Sequence, residues 1–386
     1  MTQQEAKVLH FIDSGGLYGA ESVLLNLSGL MTTSGRYHPV VGCIVAHIDE
    51  QNDLYDKARE MNLAAEKIVI RNSWLLVDIP QAARRLKKLG IDLIHSHGYK
   101  PSVFGYAIKM LTGIEIMTTC HLWFKGSRRP FKMRVMVALE LFLYRSFKKV
   151  VGVSESIREV LIDSGVSDRK IQVIKNGVEV GPGLLVSPER LAGLRVELHL
   201  NDDDYCVLNT GRLTAQKAQR DIVTAARILR DQGVVCRFVI VGEGELKAQL
   251  QNQISEAKLE DSVRLLGFRD DITELLQIAD LFVLPSLDEG MPMSLLEAAA
   301  VGLPVVASQV GDIPKLIEDR VTGVVAPAGD PEALAQAISL LKGSPELGRE
   351  LGAAVLSRVR IKYSTEAMFE QYDKVYADLM GRGPAE

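Results

Sequence analysis

The placement of apolar residues constrains this chain more than any other feature. Short runs rich in Val, Ile and Leu alternate with longer amphipathic stretches, and the alternation restarts halfway along. The first set is Ala6–Asp13 (AKVLHFID), His38–Ala46 (HPVVGCIVA), Ile91–His97 (IDLIHSH), Glu115–His121 (EIMTTCH), Lys149–Ser154 (KVVGVS) and Ile171–Asn176 (IQVIKN). The second is Tyr205–Leu213 (YCVLNTGRL), Cys236–Gly242 (CRFVIVG), Val263–Phe268 (VRLLGF), Ala279–Ser286 (ADLFVLPS), Pro304–Ser308 (PVVAS) and Gly323–Pro327 (GVVAP). Near-continuous apolar runs between helical patterns predict parallel strands covered on both faces.

The stretch Glu179–Pro188 (EVGPGLLVSP) contains Gly and Pro and little periodicity, so it reads as a linker. The chain is therefore expected to form two doubly wound, Rossmann-like α/β/α domains, residues 1–180 and 188–362. Their facing strand ends would frame a cleft, where ligands of such sheets bind. A last amphipathic pattern, Thr365–Leu379, carries Phe369, Tyr372, Val375 and Tyr376 on one stripe. It predicts a helix, about 363–380, packing back on the first domain.

A length of 386 residues suits two domains. With 47% hydrophobic and 24% charged residues, a disordered or collagen-like chain is excluded. A core of this size needs no disulfide or metal staple. The four cysteines, Cys43, Cys120, Cys206 and Cys236, form no CxxC pair, which fits a reducing cytosol. The opening MTQQEAKVLHF has no basic region followed by an apolar one, so no signal peptide is expected. No run is long and apolar enough for a membrane span. Net charge is -4 and names no partner, but it is unevenly spread. Residues 1–180 hold 24 Lys+Arg against 18 Asp+Glu, whereas residues 181–386 hold 21 against 31. Only the first half is expected to meet an anionic surface.

Three loops after apolar runs carry candidate chemistry. The first is Glu289-Gly-Met-Pro-Met-Ser-Leu-Leu-Glu297, directly after LFVLPS. Ser294–Val301 reads as a helix, whose exposed first amides can hold an anion. Carboxylates at Glu289 and Glu297 can accept hydrogen bonds from sugar or ribose hydroxyls. Structurally, Glu289 could instead cap the helix and Glu297 face solvent. The second loop is Gly211-Arg212-Leu213-Thr-Ala-Gln-Lys217. Arg212 and Lys217 across a strand-to-helix turn suit a diphosphate, one as a fork and one as a point charge. A solvated basic pair is the structural alternative. The third is Ser14-Gly15-Gly16-Leu17-Tyr18-Gly19-Ala20-Glu21, whose glycines allow close backbone approach. It matches neither standard nucleotide fingerprint. Gly242-Glu243-Gly244 is a GxG that a turn explains as well as a ligand does.

His95 and His97 alternate on one strand and so share a face, but a metal reading needs a third ligand that the pattern does not supply. Asp202-Asp203-Asp204 has the DxD spacing of metal-dependent transferases, yet it precedes a strand in a linker-like stretch and reads as a solvated turn.

The order GG…AE, IHSHG, TTCH, VSE, KNGV, GRLxxxK, VGEG, LLGF, EGMPMSLLEA and GLPVVAS resembles the retaining glycosyltransferases of family 4, over about residues 6–380. The resemblance implies the GT-B fold and a nucleotide-sugar donor held mainly by the second domain. It implies that Arg212 and Lys217 hold the donor diphosphate and replace the metal of other transferases, so no metal or other cofactor is expected. Gly15 and Gly16 would approach the same phosphates. Glu289 would bind hydroxyls of the transferred sugar, near the backbone of Gly290, Met291, Pro292 and Met293. Glu297 would take the ribose hydroxyls, and the base would lie near Gly267, Phe268 and Arg269. His121 would contact the sugar or the reacting centre; taken alone it could be a core histidine.

The sequence departs from the family twice. Gly311-Asp312-Ile313-Pro314-Lys315 stands where many members have Gly-Gly-Ile-Pro-Glu, and Ala218 follows Lys217 where many have glycine. The changed charges at Asp312 and Lys315 would bear on the sugar pocket or acceptor mouth.

The implied reaction moves a hexose or N-acetylhexosamine from a nucleotide-sugar, UDP first and GDP-mannose second, to a saccharide or lipid-linked hydroxyl. A GT-B epimerase or phosphorylase, or a degenerate nucleotide-binding scaffold, is the alternative. The basic, apolar stretch Lys125–Lys149 suits an anionic membrane surface at the cytosolic face as well as a core helix with solvated ends. Nucleic acid is not an expected partner, because no stacking platform or known motif accompanies the charge.

Overall fold

The computed structural model describes residues 5–14, 16–17, 19–120 and 131–381, which form two compact units. The first unit ends at Gly177 and resumes at Thr365; the second is Val178–Ser364.

The first unit runs β1 (Ala6–Ile12), α1 (Gly19–Thr33), β2 (Tyr37–Val45), α2 (Asp53–Glu60), β3 (Ala64–Val69), α3 (Leu75–Leu89), β4 (Leu93–His97), α4 (Tyr99–Thr112), β5 (Glu115–Cys120), α5 (Phe131–Tyr144), β6 (Val150–Gly152), α6 (Glu155–Asp163) and β7 (Ile171–Val173). Its strands form one parallel sheet in the order β3-β2-β1-β4-β5-β6-β7. The central strands are buried along their length, as their continuous apolar runs require. β3 escapes the apolar pattern because Glu66 and Lys67 interrupt it. As an edge strand it is only half-buried, so it needs no continuous run. Asn52 and Ser154 start α2 and α6 by accepting the N–H of Tyr55 and Ile157.

The second unit runs α7 (Pro188–Glu197), β8 (Cys206–Thr210), α8 (Gln219–Asp231), β9 (Arg237–Val241), α9 (Lys247–Glu256), β10 (Val263–Gly267), α10 (Ile272–Ile278), β11 (Leu281–Leu284), α11 (Met293–Ala300), β12 (Val305–Ser308), α12 (Ile313–Leu316), β13 (Val324–Ala326), α13 (Pro331–Gly343) and α14 (Pro345–Lys362). Its sheet is also parallel, ordered β10-β9-β8-β11-β12-β13. Two apolar clusters cover its two faces, one centred on Phe282 and Leu295, the other on Phe238 and Val283.

The chain passes between the units twice, and the passages lie side by side. The N–H of Val178 donates to the carbonyl of Tyr363 at 2.8 Å. The division therefore falls ahead of Glu179–Pro188, whose residues belong to the second unit. Helix α15 (Thr365–Met380) belongs to the first. There the Tyr376 hydroxyl meets His95 Nδ1 at 2.8 Å, the Tyr372 hydroxyl meets Thr119 Oγ1 at 2.8 Å, and Asp373 accepts from Tyr37 at 2.6 Å. Among the described residues no helix is long and apolar enough to cross a membrane. All four cysteines are buried and unpaired to one another.

Candidate functional site

Each sheet reverses its winding once. In the second unit the chain winds outward from β8 to β10, then crosses and winds the other way from β11 to β13. The loops after β8 and β11 therefore lie at the carboxyl ends of adjacent strands where the winding reverses, the place where open α/β sheets bind ligands. The two strongest sequence signals are these two loops: Gly211–Lys217 follows β8, and Glu289–Met293 follows β11.

The loops are bound to each other. The N–H of Leu287 donates to the carbonyl of Gln216 at 2.8 Å, and Gln216 Nε2 donates to the carbonyl of Asp288 at 2.7 Å. Next to this strut, Lys217 Nζ lies 2.5 Å from Glu289 Oε1. The Glu289 side chain is wholly buried, and its second oxygen, Oε2, has no hydrogen-bond partner among the described residues. A buried carboxylate is costly without a counter-charge, so Lys217 is what allows Glu289 to sit there. Arg212 stands on the same loop as Lys217, exposed and without an ion-pair partner among the described residues; its carbonyl accepts from Gln219 Nε2 at 3.0 Å. The structure thus unites Lys217 with Glu289 and leaves the Arg212 guanidinium at the surface.

Glu289 is not a helix cap. Pro292 occupies the N-cap of α11, and no side chain caps the first amides there. Met291 is buried and Met293 partly so. Glu297 lies in α11 and is not a freely solvated residue: burial pushes its carboxyl up from the ordinary range. Phe268 is 71% exposed just after β10. The Arg269 guanidinium is fully committed, to Asp271 at 2.8 and 2.6 Å and to Glu197 at 2.6 Å. These carboxylates raise its pKa and hold the guanidinium on Asp271 and Glu197.

Sequence reasoning missed the supports of this site. A Cβ on Gly242 would sit 2.0 Å from the carbonyl oxygen of Gly211, and one on Gly244 would sit 2.3 Å from that of Leu213. The VGEG turn is therefore the bed of the Arg212 loop. A Cβ on Gly311 would sit 1.7 Å from the carbonyl oxygen of Glu289, and the N–H of Asp312 donates to Gly290 at 3.1 Å. The Gly311–Lys315 departure thus bears on the Glu289 loop. Asp312 is itself buried and paired with Lys315 at 2.7 Å. Glycine spacing alone could have flagged both turns, but not which backbone each one meets.

In the first unit the reversal lies between β1 and β4. After β1, Ser14 Oγ lies 2.7 Å from both the Gly16 carbonyl and Glu21 Oε1, and the Gly16 N–H turns back to Ser14 Oγ at 3.3 Å. Gly15 and His121 lie outside the described residues, as does the basic stretch up to Pro130. The third imidazole beside His95 and His97 is His10, with ring nitrogens of all three within 4.8 Å. Both nitrogens of His95 already meet hydroxyls, those of Tyr376 and Thr119. His10 Nδ1 meets His97 at 3.2 Å, and burial pushes its pKa down to about 3. The three imidazoles form a buried, hydrogen-bonded cluster in which His10 stays neutral. Asp204 of the DxD run accepts from Asn201 and Arg237, which closes a turn.

Comparison with known proteins agrees with this layout. Residues 193–356 match the family model described as glycosyl transferases group 1, and residues 19–181 match that of glycosyltransferase family 4. An Erwinia amylovora amylovoran biosynthesis glycosyltransferase is 39% identical over 50% of this chain and 47% of its own length. An Escherichia coli UDP-Gal:alpha-D-GlcNAc-diphosphoundecaprenol alpha-1,3-galactosyltransferase is 30% identical over 69% of this chain and 71% of its own. Among solved structures, Anabaena HepE in complex with UDP-glucose superposes with a TM-score of 0.83 at 21% identity, covering 96% of this chain and 99% of that one. That last likeness is one of fold.

Proposed function

Because the chain belongs to the family 4 glycosyltransferases and has their GT-B fold, we propose that it transfers a hexose or N-acetylhexosamine from a nucleotide-sugar to a hydroxyl of a saccharide or lipid-linked acceptor. UDP-sugar is the favoured donor and GDP-mannose the second. The E. coli relative is named for a UDP-sugar donor and a diphosphoundecaprenol acceptor, and the HepE structure is of a UDP-glucose complex, which supports that order.

One observation carries the reading: Glu289 Oε2, buried and without a partner among the described residues, beside a lysine at the reversal of the second sheet. A buried acceptor with no donor is costly. A sugar hydroxyl would satisfy it. In this scheme one Glu289 oxygen holds Lys217 and the other takes the donor sugar. The remaining N–H groups of Lys217, with the Arg212 fork, meet the diphosphate. Their charge offsets that of the leaving nucleotide, so no metal is needed. The acceptor oxygen attacks the anomeric carbon on the face from which the phosphate departs. The new glycosidic bond forms as the carbon–phosphate-oxygen bond breaks, and the departing phosphate takes the acceptor proton. Configuration is retained. Glu297 takes the ribose, and His121 the sugar or reacting centre.

The test is thermal shift followed by turnover. UDP or a UDP-sugar at 100 times its Kd should stabilise the protein by about 2.7 kcal/mol, without added metal and in the presence of EDTA. Lys217→Ala should lower kcat by roughly 10²–10³-fold and also destabilise the protein, because it leaves the buried Glu289 carboxylate without its counter-charge. Glu289→Gln should lose sugar turnover more than UDP affinity. Unchanged turnover in Lys217→Ala, or equal loss of both in Glu289→Gln, defeats the assignment; a rate that needs inorganic phosphate points to phosphorolysis.

A further inference from the structure

The loop after β3 presents a tryptophan to solvent and holds it still. Trp74 is 54% exposed, and Leu76, in the first turn of α3, is 94% exposed. In the same turn Asp78 is buried and takes the Arg71 guanidinium as a fork, Nε to Oδ2 at 2.9 Å and Nη2 to Oδ1 at 2.8 Å. The Arg71 backbone N–H also donates to Oδ2, at 2.9 Å. So fixed, the guanidinium lies 5.2 Å from the centroid of the Trp74 ring. The backbone ties the turn as well: the N–H of Trp74 donates to the Arg71 carbonyl at 3.0 Å, and that of Asp78 to the Trp74 carbonyl at 2.9 Å.

An ion pair with a buried partner adds little net stability, because desolvation opposes the Coulomb gain. What this one adds is order. A free indole and a free arginine sample many rotamers; held in advance, they lose less entropy when a ligand arrives. The pair also sets the charge. Between Lys67 and Arg84 the only charged residues are Arg71 and Asp78, which cancel, so the loop favours a neutral ligand over an anionic one. The electron-rich indole face takes C–H groups. Beside it, Arg71 Nη1 has no partner among the described residues, and exposed Asn72 and Ser73 adjoin it in the chain. A pyranose ring has the matching make-up, C–H bonds on a face and hydroxyls round the rim. An apolar tail or an apolar protein face would cover those donors without pairing them. The loop stands at the carboxyl end of β3, on the side of the sheet where ligands of such folds bind. β3 is two strands from β1, about 10 Å across the sheet, so the loop lies beside the reversal rather than in it.

We infer that Trp74, held by Arg71 and Asp78, is a stacking subsite for a pyranose ring of the acceptor saccharide, set apart from the ring that reacts. Its assignment to an acceptor rests on the transferase reading; the pyranose site itself does not.

Saturation-transfer NMR with the methyl glycosides of glucose, galactose and N-acetylglucosamine tests it. At least one glycoside should receive saturation from the parent protein. Trp74→Leu should weaken its binding by about three- to tenfold, and Trp74→Tyr should keep most of it. Leucine retains an apolar surface but no ring face, so the contrast separates stacking from apolar contact. Both variants change an exposed side chain, and their circular dichroism and UDP-induced thermal shift should match the parent. Arg71→Met combined with Asp78→Leu removes the pair without stranding a buried charge; it should stay folded and bind the glycoside more weakly. No saturation transfer from the parent, or parental binding by Trp74→Leu, overturns the inference. So does a dimer in light scattering that Leu76→Glu splits while glycosides go unbound, which would make the loop a subunit interface. Failure of glycoside binding with the UDP response intact defeats the subsite alone. Glycoside binding through Trp74 without any UDP response keeps the pyranose site and defeats its assignment to an acceptor.

Discussion

At the residue scale, the two oxygens of Glu289 differ: Oε1 is paired with Lys217, and Oε2 is buried with no partner among the described residues. Neighbouring Ala218 shows what it takes to aim Lys217. It is buried with φ of 51°, a left-handed backbone between the Ala215–Lys217 turn and α8. An L-residue held there costs roughly 1–2 kcal/mol, which explains why glycine is common at this position in the family. Ala218→Gly relieves that strain but gives up a buried methyl and adds unfolded-state entropy, so its effect on stability should lie within about 1 kcal/mol of zero. Ala218→Val places a β-branched side chain at positive φ in a packed site and should destabilise by about 2 kcal/mol or more. Denaturant melts of the two variants check this. A Val variant as stable as the parent would mean that the turn relaxes. The glycines at 242, 244 and 311 are the same kind of feature. They are visible in the sequence as glycines, but the backbone each one admits belongs to a loop distant in the chain.

At the element scale, α5 carries a pH signature. Burial raises the Glu140 carboxyl to about 7, well above the ordinary 4.5 of a free glutamate. The folded protein therefore keeps a proton that the unfolded chain releases between those values. Stability from this group is fully present below about 4.5 and is lost as pH rises toward 7. Glu140→Gln keeps an acceptor for Tyr144 without the ionisation. It should be the more stable protein at pH 8, by up to ~3 kcal/mol, and show little difference near pH 4.5. Urea unfolding at the two pH values decides it, and equal stability at pH 8 would mean that Glu140 reaches water. Elements were otherwise legible where one face or both are buried. The central strands announce themselves as continuous Val, Ile and Leu runs. Edge strand β3 does not, because half its surface faces water and can carry Glu66 and Lys67.

At the scale of the whole molecule, the first unit is not contiguous in the chain. Its last helix, α15, arrives only after the second unit is complete. It buries Met368, Tyr372, Val375 and Tyr376 and hydrogen-bonds His95 and Thr119. At roughly 1.5–3 kcal/mol per large apolar side chain, that burial is comparable to the total stability of a domain. A chain ending at Ser364 should therefore lose hydrogen-exchange protection throughout β1–β5 and keep it in β8–β13. The milder Tyr376→Phe should cost about 1–2 kcal/mol, the loss of its buried hydrogen bond to His95. Uniform loss of protection in both units would mean that they unfold as one. The sequence alone determined that this chain makes two parallel α/β sheets and which loops follow β8 and β11, because period, burial and turn residues are local and act over a few positions. Only the tertiary structure decided that Lys217 meets Glu289, that Gly311 lies under the Glu289 loop, that His10 joins His95 and His97, and that α5 turns Glu140 inward. Those facts depend on residues far apart in the chain reaching one place, and on which face of a helix the sheet has already covered.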